Sequence, residues 1–478
     1  MSDSLLRRKS IVPEQQEGHG LARTLSWPHL IALGVGAIVG TGILTLIGVG
    51  AAKAGPAVIL SFAIAGVICI CAALAYAEMA TMIPASGSAY TYTYVVIGEL
   101  LAWVIGWSLI LEYSLVVSTV AVGWSGYASP LLKGWISFPE WLTHAPVLAG
   151  HLSDGTLAIA KAGINLPAVL IIFVVAGLLI AGTRESATLN ATLVLVKIVA
   201  LIVFVAVALP HFNASNLDPF MPNGFSKSGA PGHEVGVMAA AAIIFFAFYG
   251  FDAIATAAEE TKNPGRDLSI GIVGSMLICV LIYVAVGVTA VGALNYTRLA
   301  GSDEPLAFIL REIGQPTAAW YLGVSAIVAL PTVILAFFYG QSRIFFTMAR
   351  DGLLPASLSK LSQRGAPTRI TLFTAVVVSI LAACIPLGEL AALANAGTLA
   401  AFTAVTVCML VMRHRAPDAP RTFRAPLPWL VGFVAIVGCL YLFYSLPTKT
   451  QLWFGVWNVV GLAVYFLYAR RKAVVAGE

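Results

Sequence analysis

Apolar residues fall along this chain in twelve stretches, at 28–53, 57–82, 97–128, 166–181, 186–209, 235–260, 268–293, 318–349, 370–386, 389–412, 427–446 and 449–469. A bilayer core takes about 20 consecutive apolar residues per helix, so most of these are long enough to cross it. The fourth and ninth are short. The pattern predicts an all-α polytopic membrane protein of about twelve transmembrane helices. Its parts read as a polar segment at 1–27, five helices at 28–209, five more at 210–412 behind an external loop, two helices within 413–469, and a polar tail at 470–478. The longest loops, about 129–165 and 210–234, have the length to carry short surface helices.

Two of the stretches make poor helices at their middles. The first holds Gly34-x-Gly36-x-x-x-Gly40-Thr41-Gly42 between the apolar halves Ile31 to Val39 and Ile43 to Val49. Glycine is about 1 kcal/mol worse than alanine in a helix, so four within nine residues predict an interruption. Lipid cannot satisfy the freed backbone groups, so such a break has to line a protein cavity. Five stretches later, the apolar run Ala239 to Ile244 leads into Phe245-Phe246-Ala247-Phe248-Tyr249-Gly250-Phe251-Asp252. Interruptions at matching positions of two halves point to a transporter binding site. Gly250 taken alone serves equally well for close helix packing. Taken together, the breaks predict a five-plus-five inverted repeat with discontinuous helices 1 and 6, and with helices 11 and 12 added outside.

Charge gives the topology a direction. Placing the N-terminus in the cytoplasm puts 19 of the 27 Lys and Arg residues inside and seven outside, with Lys197 left in the membrane. The positive-inside rule then favours cytoplasmic termini at both ends. The first 27 residues are polar, carry Arg7, Arg8, Lys9 and Arg23, and lead into a long apolar stretch, which argues against a cleaved signal peptide. The net charge of +5 follows from the same asymmetry and indicates no nucleic-acid partner. Charged residues make up 10% of the chain, against roughly 25% in a soluble domain. All six cysteines sit in apolar stretches without metal-ligand spacing and read as core packing, so no metal or cofactor is expected. Nor does a phosphate-binding loop or nucleophile-base arrangement suggest an enzyme.

The glycine run, the segment Phe246-Ala247-Phe248-Tyr249-Gly250-Phe251-Asp252 and the sequence Glu259-Glu260-Thr261-Lys262-Asn263-Pro264 resemble the amino acid/polyamine/organocation superfamily. Gly340-Gln341-Ser342-Arg343, Arg350-Asp351-Gly352-Leu353-Leu354-Pro355 and Arg421-Thr422-Phe423-Arg424-Ala425-Pro426-Leu427-Pro428 match it as well. Within the superfamily the chain is most similar to the cationic amino acid transporter branch, including its bacterial proton-coupled members. The similarity covers nearly the whole chain with the segments in family order. It implies the LeuT-like fold, alternating access and an amino acid substrate.

The chemistry of the breaks agrees with that implication. An α-amino acid needs donors for its carboxylate and acceptors for its ammonium. Free amides at Thr41, Gly42 and Ile43 suit the carboxylate, because a helix N-terminus carries unpaired N–H groups and the positive dipole end. Main-chain oxygens of Ile38, Phe246 and Tyr249 suit the ammonium. Phe246, Phe248 and Phe251, with Ala247 among them, are candidates to line the pocket or gate it, although aromatics at this spacing also serve simply as core. Aligned with the family, Phe337 takes a pocket-facing position where cationic-substrate members carry a small residue. A ring there favours a small or medium neutral L-amino acid such as alanine.

Lys197, central in the fifth stretch, costs roughly 2.5–3.5 kcal/mol to insert and so has to face protein. In related folds a sodium ion bridges the first and eighth spans, and the resemblance assigns its place in proton-coupled members to a fifth-span lysine, which Lys197 matches. A lysine locked permanently to an acid is the structural alternative. Glu112 and Asp252 match acidic positions of closer relatives. Glu112 is read as exchanging protons with Lys197 or tuning it, and Asp252 as bonding Thr41 across the breaks. Either acid serves to carry a proton or to hold helices together. Glu78, Glu259 and Glu260 read as structural or gating partners of loop arginines. The reading is a proton-coupled importer in the cytoplasmic membrane whose partners are an amino acid, a proton and lipid, with a small membrane subunit left open. The alternatives are an amino acid or amine exchanger, cationic amino acid uptake, and a non-transporting sensor on the same fold.

Overall fold

In lipid the backbone has to bond to itself, and a helix lets a single segment do so. The computed structural model of the chain follows that requirement, and it describes residues 7–8, 25–83, 87–133, 139–149, 158–161, 163–181, 187–256, 261–299, 302–355 and 368–470. The first apolar stretch divides into α1 (Trp27–Ile38), α2 (Thr41–Leu44) and α3 (Leu46–Ala54). After it come α4 (Val58–Met82), a short α5 (Ser88–Val96), α6 (Glu99–Leu132), α7 (Leu166–Ala181) and α8 (Ala187–Ala208). The sixth stretch is also divided, into α9 (Val237–Ile244), a 3-10 turn (Phe245–Phe248) and α10 (Phe251–Thr256). The remainder is α11 (Pro264–Ala293), α12 (Tyr296–Leu299), α13 (Pro305–Glu312), α14 (Pro316–Arg350), α15 (Thr368–Cys384), α16 (Leu387–Arg415), α17 (Pro428–Ser445) and α18 (Thr448–Val464).

Among the described residues, eight helices are long and apolar enough to cross a membrane, and four apolar helices are shorter: Trp27–Ile38, Leu166–Ala181, Val237–Phe248 and Thr368–Cys384. The chain is therefore a multi-pass membrane protein. Its long loops carry short helical turns, and the first also carries a pair of strands that was not expected. The first carries a 3-10 turn at Glu140–Leu142 and an antiparallel pair, β1 (Val147–Ala149) with β2 (Ala158–Lys161), and the second carries 3-10 turns at Leu209–His211 and Ala214–Leu217. Short strands and turns satisfy their backbone locally without the apolar stripe that a surface helix needs. The sequence reading also passed over α5, whose run of tyrosine and threonine interrupts the apolar pattern.

The helices pack around a centre made by α1, α4, α6, α9, α11, α14 and α16. Close packing joins α4 to α11, α6 to α14 and α7 to α15, while α1 lies on α11 as α9 lies on α4. Pro331 inside α14 has no N–H to bond the Ile327 carbonyl. Trp124 Nε1 of α6 donates to that carbonyl at 2.9 Å instead. The neighbouring Thr332 is reached by Lys197 of α8.

At the end of the bundle that carries the α4 C-terminus, Glu78 is fully buried and bonded to Arg413 in the last turn of α16 and to Arg421 of the loop that follows it. Arg413 bonds both its carboxylate oxygens at 2.7 Å, and Arg421 bonds one at 3.2 Å. Arg421 also caps α16 by donating to the Met412 and Ala416 carbonyls. Glu259 and Glu260 lie outside the described residues, as do most of 1–27 and all of 471–478. At the opposite end, α12 and α13 cover α3. There burial pushes the Glu304 carboxyl above its ordinary value, against the pull of the Arg311 guanidinium at 2.6 Å.

Candidate functional site

Both expected interruptions are present. Helix α1 ends at Ile38, Val39 and Gly40 are unwound, and α2 restarts at Thr41. In the sixth stretch α9 tightens into the 3-10 turn, Tyr249 is extended, and Gly250 takes φ +114° before α10 begins. That backbone conformation suits glycine alone. The two breaks touch through bare backbone. A Cβ on Gly250 would lie 2.7 Å from the Ala37 carbonyl carbon and 2.9 Å from the Ile38 nitrogen, and one on Gly42 would collide with the Ala247 backbone.

Between the breaks lies a narrow cavity with room for about one water. The first break contributes Ile38, Gly40, Thr41 and Gly42, and the second contributes Phe246 and Tyr249. Val116 and Val120 of α6 and Val333 and Phe337 of α14 close the apolar side. Much of this space is too narrow for a water, so a bound amino acid requires the lining side chains to give. A four-residue helix leaves its first amides without intrahelical acceptors, which makes the Thr41 end a donor edge of the cavity. The Thr41 hydroxyl is buried without a hydrogen-bond partner and packs against Gly123 of α6. The Ile38 carbonyl already accepts from Tyr283 Oη at 2.8 Å, which leaves it one lone pair for a ligand.

Not every expected site residue reaches the cavity. Ile43 is buried outside it, and Ala247 backs Gly42 instead of lining the space. Phe251 packs on Tyr76 and Phe402, and Phe248 packs on Phe62 and Tyr283. Of the three phenylalanines in the segment, only Phe246 lines the cavity, because the 3-10 turn and the extended Tyr249 rotate successive side chains away from a single face. Phe337 stands edge-on to Tyr113 with ring centroids 5.4 Å apart.

Lys197 is buried, and its Nζ donates to the Gly36 carbonyl of α1 at 2.8 Å and to Thr332 Oγ1 of α14 at 3.4 Å. The ammonium thus joins the first broken helix to α14. Asp252 accepts from Tyr113 Oη at 3.0 Å and not from Thr41. Glu112 is buried beside Thr398 and close enough to Asp252 for the two carboxyls to interact, with its Oε2 lacking a hydrogen bond. The acids therefore group with each other and with Tyr113.

Asn395 of α16 was not among the expected residues. Its Nδ2 donates to the Ala242 and Ile243 carbonyls at 2.5 and 3.0 Å, and its Oδ1 accepts from Tyr249 Oη at 2.6 Å. Tightening of α9 into a 3-10 turn disturbs the bonds of those carbonyls, and Asn395 takes them up. A lone asparagine in the apolar stretch 389–412 is the only trace of this in the sequence.

Comparison with known proteins agrees with this architecture. A family model for amino acid permeases matches residues 25–467. The chain is 43% identical over 478 residues to the branched-chain amino acid permease of Bacillus subtilis and 41% identical over 477 residues to the methylthioribose transporter of the same organism, covering 99% of each. It is also 36% identical to the vacuolar cationic amino acid transporter 2 of Arabidopsis thaliana, over 89% of this chain and 65% of that protein.

Proposed function

We propose that this chain, which belongs to the amino acid permease family, is a secondary active importer that moves neutral aliphatic L-amino acids inward together with a proton. Membership makes it a transporter and not an enzyme, and supports an amino acid as its substrate. The observation that carries the finer reading is the meeting of two backbone breaks at one cavity, with the first amides of α2 on its edge. In this reading the Thr41 and Gly42 amides take the carboxylate, and main-chain oxygens of Ile38, Phe246 and Tyr249 take the ammonium. Val116, Val120, Val333 and Phe337 meet the side chain. An apolar wall of this kind suits alanine through the branched residues and offers an arginine or lysine head no partner.

The eight long and four short apolar helices are read as spans of two inverted five-helix halves, 28–209 and 210–412, with two helices added within 413–469. The packing of α4 on α11, α6 on α14 and α7 on α15 supports that reading, since a two-fold exchanging the halves brings each helix to its counterpart. Basic loop residues favour both termini in the cytoplasm and a cytoplasmic-membrane location. Lys197 takes the coupling role, because its ammonium ties α1 to α14, the two elements whose separation opens the site. Binding of substrate and proton then biases a rigid-body rearrangement of one bundle against the other.

Purified protein in vesicles is expected to accumulate labelled L-alanine under an inward proton gradient, with valine and leucine competing. Strict sodium dependence with indifference to pH would refute the proton reading, and uptake confined to preloaded vesicles would identify an exchanger. Phe337→Ser is expected to admit arginine or lysine as competitors by opening the apolar wall. An unchanged competition profile would remove Phe337 from specificity.

A further inference from the structure

Asn395 lies in the first half of α16, is fully buried, and stands behind the second break without lining the cavity itself. The two carbonyls that its Nδ2 meets, those of Ala242 and Ile243, come before the 3-10 turn, and the phenol that its Oδ1 meets, that of Tyr249, comes after it. A carbonyl only accepts, so the pair of them fixes which amide atom is the nitrogen and leaves Oδ1 for the phenol hydrogen. One side chain thus closes a clip over the whole turn. Two turns further along α16, Phe402 repeats the arrangement with apolar contacts. Its ring packs on Phe245, at the start of the 3-10 turn, with centroids 5.7 Å apart, and on Phe251, at the start of α10, with centroids 4.9 Å apart. Between Asn395 and Phe402, Gly397 brings α16 against the backbone of α6, since a Cβ there would lie 3.1 Å from the Ser108 carbonyl oxygen. Helix α16 is therefore a splint along the second break, itself seated on α6.

We propose that Asn395 is a positioning residue for the amino acid: by clipping the second break it fixes Phe246 and Tyr249, against which the main-chain end of the substrate is seated. The inference rests on the amino acid reading of the cavity given above. A 3-10 turn followed by an extended residue keeps few of the regular bonds of a helix, so its shape has to be imposed from outside. The Tyr249 N–H makes only a long 3.4 Å bond to the Phe246 carbonyl, and the clip supplies the restraint that this bond lacks. Phe246 and Tyr249, with ring centroids 4.9 Å apart, are the two residues that the second break contributes to the cavity. The opposite wall differs in kind. The side chains of Val116, Val120, Val333 and Phe337 hold no polar atom, so no directional bond restrains them. A substrate has to displace wall atoms to enter so narrow a space, and the clip assigns that movement to the apolar wall. The main-chain end is then fixed while the side-chain end adapts, which lets one seat serve side chains of different size. Order that is present before the substrate arrives does not weaken its binding.

The test is counterflow of labelled L-alanine at equal pH, with the full chain in vesicles. Asn395→Leu keeps the branched outline of the side chain and removes all three bonds. It is expected to raise the half-saturating concentration about tenfold, corresponding to about 1.4 kcal/mol, while the maximal rate stays within about twofold. A role in folding alone would lower the maximal rate and leave the half-saturating concentration where it was. Alanine, valine and leucine are expected to weaken as competitors by one common factor, because the clip acts on the end that they share. Tyr249→Phe breaks only the phenol bond and is expected to shift the half-saturating concentration the same way by a smaller factor. An unchanged half-saturating concentration in Asn395→Leu, or in Tyr249→Phe where the leucine variant does not fold, overturns the positioning role, as does a reordering of the three competitors. Wild-type protein that neither binds nor exchanges L-alanine overturns instead the reading of the cavity on which the inference stands.

Discussion

Alanine at position 250 is expected to abolish transport by removing the seat of the substrate. Gly250 holds φ +114° between the two halves of the sixth stretch, and an added Cβ meets the Ala37 carbonyl carbon at 2.7 Å. A backbone region closed to other residues costs about 1–3 kcal/mol, and overpacking adds about 1–3 kcal/mol. The neighbouring atoms are backbone and the Ala37 Cβ, so no side-chain rotation relieves the contact. The strain falls on both breaks together, since Ala37 and Ile38 belong to the first and Gly250 to the second. A loss of about 3 kcal/mol weakens binding on the order of 100-fold. Calorimetric titration with L-alanine, beside a thermal melt of the same sample, separates lost binding from lost folding. Wild-type affinity in Gly250→Ala would mean that the contact between the breaks does not form the site.

For Lys197→Ala the expected result is loss of coupling. Helix α1 ends at Ile38, so the carbonyls of its last turn lose their regular amide partners, and Lys197 Nζ bonds that of Gly36. Removal leaves a buried acceptor short of a partner at about 1–3 kcal/mol and unties α1 from Thr332 of α14. Uptake in the variant should no longer rise as the outside is acidified, and L-alanine should not accumulate above its equilibrium level. Lys197→Arg distinguishes tether from proton carrier, because a guanidinium keeps the bond and the charge but does not release its proton. It should preserve binding while abolishing the pH response. An unaltered pH response in both variants would reduce Lys197 to packing.

Much of this was legible in the linear chain for a definite reason. The apolar stretches announce helices because lipid leaves the backbone no other choice, and the glycine-rich middles announce breaks because helix cost is local to the residue. Lys197 drew attention because an insertion penalty attaches to the lysine itself. The aromatic segment was less legible. Phe246, Phe248 and Phe251 are equally plausible as lining by composition, yet the 3-10 turn and the extended Tyr249 send Phe248 and Phe251 into packing with Phe62, Tyr76 and Phe402. The partner of Asp252 was misread for a similar reason. Thr41 is near it along the logic of the two breaks, but Tyr113 on α6 reaches it through space.

By itself, the sequence determined the helical membrane class, the positions of both interruptions and the membrane-depth lysine, all properties that single segments carry in their own composition. Only the tertiary structure decided which groups face one another: Asn395 on the α9 carbonyls, Tyr113 between Phe337 and Asp252, and Trp124 on the carbonyl freed by Pro331. Those pairings join residues far apart in the chain, and hydrogen bonding and close packing depend on distance and direction in space, which no local pattern encodes.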